Sequence, residues 1–127
     1  RMLGLFAFFY GCLHLISYIG FDRSWSASSV LDDVIKRPFI AFGMVSFLML
    51  VPLAITSTDK MLRRIGVKRW LRLHKLVHIL AITGVVHFYM IAKSDVFYPI
   101  LFGVVLAFLL GYRLYAWGQK ARPKNNF

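Results

Sequence analysis

Four histidines, His14, His74, His78 and His87, are the residues whose type and spacing could do chemistry. Three of them share one apolar stretch, Trp70 to Lys93, WLRLHKLVHILAITGVVHFYMIAK, and His14 lies on another, near the start of the chain. A neutral imidazole offers a nitrogen lone pair to a metal, and an ionisable ring inside an apolar helix is costly enough to need a use. His74 and His78 have the i,i+4 spacing of a metal pair and project about 40° apart. No acidic or cysteine residue stands beside them to complete such a set.

The elements that must carry these rings are of membrane length. Of 127 residues 59% are hydrophobic, and the mean hydropathy is +0.66. The apolar residues gather into four runs, each near the ~20 residues that an α-helix needs to cross a bilayer. The expected spans are about 2–21, 38–58, 71–92 and 96–117, followed by a polar tail, 118–127. This pattern describes an all-α integral membrane protein with a single domain, 1–127, too short for a second core. Pro38 suits the first turn of the second span, Pro52 should kink that span by removing a hydrogen bond, and Pro99 falls in the first turn of the fourth. Residues 22–37 read as a polar loop, the longest external segment and a candidate docking element. Gly66 reads as the turn within the basic connection 59–69.

The chain enters an apolar run directly after Arg1, which reads as a piece of a longer protein. A signal peptide over residues 1–29 is the weaker reading, because the run is of membrane length, contains His14 and has one basic residue before it. The lone cysteine, Cys12, reads as a small packing residue.

The net charge of +11 does not point to nucleic acid, because it lies between and beyond the apolar runs. Arg1, Lys60, Arg63, Arg64, Lys68, Arg69, Arg72, Lys75, Arg113, Lys120, Arg122 and Lys124 fall on one side, while Arg23, Lys36, Arg37 and Lys93 fall on the other. The positive-inside rule then places the basic loop 59–75 and both termini in the cytoplasm. Spans one and three run the same way, so His14 and His87 reach similar depths in the outer half. His74 stays near the inner surface, roughly 20 Å from His87 along the axis.

Two histidines on facing helices can hold the iron of a b-type haem in a dry bundle core. His14 and His87 meet the depth condition for one such clamp, and His74 could hold a second haem. The thirteen-residue step from His74 to His87 sets them about 140° apart on an ideal helix. Either Gly84 permits a distortion or the two haems occupy different flanks. His78 reads as an interfacial polar residue, and His74 also fits that description. Arg37, Arg69, Arg72 and Lys93 are placed to pair with haem propionates, although topology alone would put them there too.

LHLISY around His14, RPF followed by Gly43, TSTDKMLRRIGVKRWLRLH ending at His74, and HFYMIAK from His87 carry a resemblance. The chain resembles the haem-binding membrane subunits of the bacterial protein-methionine-sulfoxide reductase system, the MsrQ (YedZ) family. It is more loosely similar to the membrane domains of ferric reductases and NADPH oxidases. The resemblance implies four helices of a ferric reductase-like bundle of about six, in the bacterial inner membrane. It also implies one or two haem b groups, with His14, His74 and His87 at the family's iron-ligand positions, and any FMN bound outside this stretch or by a partner. Electrons would pass from a cytoplasmic flavin reductase or a quinone to a periplasmic molybdopterin-containing subunit that reduces methionine sulfoxide in proteins. The catalytic site would then lie on that partner, with no catalytic residue here.

One position departs from the two-haem oxidase pattern. A second histidine about thirteen residues from His14 is replaced by Arg1 or Ala27, which leaves an inner haem short of a ligand. Two other readings compete: a metal or oxygen reductase domain of the same fold, and a haem-free scaffold or ion-transport bundle.

Overall fold

Helix starts and stops fall at residues with a physical reason to make them. The computed structural model of the protein describes residues 1–121. α1 spans Met2–Ser17 and widens into a π turn at Tyr18–Asp22. α2 spans Ala27–Lys36, with the Ser26 hydroxyl accepting from the Ser29 N–H at its start. α3, Pro38–Ile55, begins on a proline whose missing N–H has no helical partner to lose. α4, Asp59–Ile65, is capped by the Thr58 hydroxyl and is separated from α5, Val67–Leu73, by Gly66 at φ +84°, a conformation that suits glycine. α6 spans Leu76–Ile91 and α7 spans Phe97–Ala121.

Among the described residues, four segments are long and apolar enough to cross a membrane: Met2–Asp22, Pro38–Ile55, Val67–Ile91 and Phe97–Lys120. The fold is that of an all-α membrane protein. α3 lies along α6 at the centre, α1 and α2 pack on α3, and α7 packs on α6. An ion pair between Arg1 and Asp59, 2.5 Å long, puts the start of α1 at the same end as α4 and α5.

Leu53 and Pro99 are the buried apolar residues among those described, while Phe6, Leu48, Phe108 and many others point outward. That inversion suits a lipid solvent, in which apolar faces need no cover and helices associate through packing and hydrogen bonds. One such bond crosses the central pair, from Ser46 Oγ to Thr83 Oγ1 at 2.7 Å.

Several boundaries differ from the sequence reading, each for a local reason. The stretch 22–37 contains a helix, because Ser26 caps it and Val30, Leu31, Val34 and Ile35 recur at helical spacing. α3 stops at Ile55 rather than 58, where Thr56 Oγ1 and Ser57 Oγ turn back onto the Pro52 and Leu53 carbonyls at 2.7 and 2.6 Å. The third span is two helices joined by a tight turn at His74–Lys75. There the Lys75, Val77 and His78 N–H groups bond three residues back, to Arg72, His74 and Lys75, at 3.2, 3.3 and 3.1 Å. α7 continues past Trp117 to Ala121, and the rest of the expected tail lies outside the described residues.

Candidate functional site

Three helices enclose a cavity of about 900 Å³: α1 contributes Gly11 and His14, α3 contributes Phe39, Gly43, Phe47 and Leu50, and α6 contributes Leu80 and His87. The lining residues recur every three or four positions on α1 and α3, so each helix presents one stripe to the cavity. His14 and His87 meet across it with ring centroids 6.2 Å apart and planes inclined at 74°.

That separation matches a shared metal. An imidazole nitrogen binds at about 2 Å and the ring centre lies about 1 Å further on, so two rings on opposite sides of one ion sit about 6 Å apart. Among the described residues no cluster of three or more His, Cys, Asp or Glu could hold a bare ion. Two imidazoles alone therefore suit a metal that brings its other ligands with it, as the iron of a porphyrin does. The cavity volume lies within the range of cofactor pockets.

His87 is held for ligation by α3. Its Nδ1 lies 2.6 Å from the Phe39 carbonyl oxygen, which can only accept, so Nδ1 carries the proton and Nε2 keeps its lone pair. The ring rests against Gly43, where a Cβ would come within 2.6 Å of His87 Cε1 and 2.8 Å of Nδ1.

The mouth of the cavity beside α2 is charged. Tyr18, Arg23 and Arg37 line it. All three converge on Asp33 of α2, which is only 7% exposed. The Tyr18 hydroxyl donates to Asp33 Oδ2 at 2.6 Å, Arg23 Nε lies 2.5 Å from the same oxygen, and Arg37 Nε lies 3.4 Å from Oδ1. Of the basic residues considered as propionate partners, Arg37 reaches the cavity, whereas Arg69, Arg72 and Lys93 do not line it. Sequence reasoning missed Arg23 and Asp33. The available signal was the amphipathic spacing of α2, with Arg23 and Arg37 flanking it.

His74 does not join the other two. Its Nε2 lies 3.3 Å from Thr56 Oγ1, its ring stacks on Trp70 at a centroid distance of 3.9 Å, and the Trp70 indole N–H donates to the Thr56 carbonyl at 2.8 Å. His74 and His87 nonetheless both face α3, one at each end. The tight turn at His74–Lys75 helps to reconcile this with the thirteen-residue spacing, since it advances about 120° per residue rather than about 100°. The distortion thus falls at the start of α6 and not at Gly84, through which α6 runs unbroken. His78 Nδ1 bonds the Lys75 carbonyl at 2.8 Å within its own turn.

Fold and site together define a class of protein: a helical membrane bundle presenting two imidazoles across a largely apolar cavity. Residues 1–85 match the family model described as ferric reductase like transmembrane component, and the chain belongs to that family.

Three relatives share the name protein-methionine-sulfoxide reductase heme-binding subunit MsrQ. The chain is 48% identical to the one from Herminiimonas arsenicoxydans, over 99% of its own length and 58% of that protein. It is 50% identical to the Rhodospirillum rubrum protein, over 90% of the chain and 55% of the relative. It is 40% identical to the Caulobacter vibrioides protein, over 99% and 60% respectively. The chain therefore spans little more than half the length of these relatives. No solved structure matches it.

Proposed function

We propose that the chain is the core of a transmembrane b-type cytochrome in a bacterial inner membrane, holding haem iron between His14 and His87. The observation that carries this reading is the 6.2 Å separation of the two rings across the cavity. The heme-binding name of the relatives supports it. Bound there, a haem would supply a one-electron carrier within the apolar part of the bundle.

The chain's own residues bind and orient the group. His87 is presented by Phe39 and Gly43 on α3, and His14 approaches from α1. Gly11, Phe47 and Leu50 keep water from the apolar faces, and Arg37 and Arg23 supply positive charge where propionates would emerge. His74 is the candidate ligand for a second haem at the opposite end, which requires the Trp70 and Thr56 contacts to release its ring.

The basic loop 59–75 and both termini are assigned to the cytoplasm by charge. Electrons would then enter from a cytoplasmic flavin reductase or a quinone. They would leave to a periplasmic molybdopterin-containing subunit that reduces methionine sulfoxide in proteins, in line with the relatives' name. A reduced-minus-oxidised spectrum of the full-length protein, with the haem-to-protein ratio, tests this. A b-type spectrum with one or two haems per chain is expected, and a protein with no Soret band would be the scaffold or ion-transport bundle instead.

A further inference from the structure

The contact between α3 and His87 is unusual among the glycines of the chain. A Cβ added at Gly4, Gly84, Gly111 or Gly118 would meet nothing within 4 Å, and one at Gly11 or Gly103 would make ordinary contacts at 3.5 Å. At Gly43 it would meet three atoms of one ring, His87 Cε1, Nδ1 and Nε2, at 2.6, 2.8 and 3.1 Å. Flexible side-chain ends can yield to such a clash, but this ring is tethered. One turn earlier on the same helix the Phe39 carbonyl takes the Nδ1 proton at 2.6 Å, and a ring pushed off Gly43 would lose that bond.

From these two contacts we infer that Gly43 and the Phe39 carbonyl form a seat that sets the plane and the tautomer of His87, making Gly43 a positioning residue for the iron site. The inference rests on the haem reading above. Its chemical content is specific. The carbonyl fixes Nε2 as the metal-facing nitrogen and raises its basicity, while the bare α-carbon of Gly43 lets the ring lie close to the helix at 74° to His14. The His14 ring, unlike that of His87, has no hydrogen bond to a protein group among the described residues, so the two sides of the clamp are unequal: His87 is fixed and His14 follows.

The test uses the full-length protein in lipid, as wild type, Gly43→Ala and Gly111→Ala, with electron paramagnetic resonance of the ferric form and a redox titration. Imidazole planes far from parallel give a strongly anisotropic low-spin signal. Wild type and Gly111→Ala should show it, and Gly43→Ala should lose it and shift in midpoint potential. An unaltered signal and potential in Gly43→Ala would overturn the inference. Absence of any low-spin haem from wild type would overturn the underlying haem reading instead. Should Gly43→Ala fail to fold, nitrogen–proton NMR of the ferrous wild type decides: the His87 Nδ1 proton should be shifted downfield and protected relative to that of His14. Equal exchange of the two protons would overturn the seat.

Discussion

The Tyr18 hydroxyl donates to Asp33 at 2.6 Å, tying the π turn at the C-terminal end of α1 to α2 across fifteen residues of sequence. Asp33 also pairs with Arg23 and Arg37 and balances one of their two charges, so one carboxylate organises the cavity mouth and leaves it positive. Removing it takes from both arginines the carboxylate they share. Asp33→Ala should lower stability by about 1–3 kcal/mol, and Tyr18→Phe by about 1 kcal/mol. Thermal unfolding in detergent reads both, and an unchanged midpoint for Asp33→Ala would contradict the assigned role.

The central helix pair is joined mid-span by Ser46 and Thr83 at 2.7 Å. Hydrogen bonds of this kind between membrane helices contribute about 0.6 kcal/mol on average, because the separated helices find other partners. A double-mutant cycle of Ser46→Ala and Thr83→Ala should therefore give a coupling near that size. A coupling above about 2 kcal/mol would mean that packing between α3 and α6 depends on this bond far more than is typical of membrane helices.

His78 spends its Nδ1 on the carbonyl of its own turn and does not line the cavity. His78→Ala should leave haem content and both visible bands unchanged. Loss of a haem in that variant would place His78 among the ligands and displace His74.

Much of this arrangement was legible before folding, for reasons that are local. Membrane length and apolar composition marked four spans, and charge asymmetry together with span direction brought His14 and His87 to one depth. Residues whose roles depend on distant partners were not legible. Asp33 looked like one of several loop aspartates because its partners Tyr18 and Arg23 belong to a different element. Gly43 stood out only within a resembling motif, since its value lies in the ring of a residue forty-four positions away. His74 illustrates the opposite difficulty. An ideal helix sets it about 140° from His87, and the tight turn beside it narrows that angle in a way that periodicity does not foresee.

The central claim is that His14 and His87 hold one haem between them. The most direct measurement is haem content and the redox titration of full-length His14→Ala and His87→Ala, each compared with wild type. Both variants are expected to lose the same low-spin haem, with the remaining spectrum alike in the two. Wild-type haem content and titration curves in both would contradict the paired-ligand site.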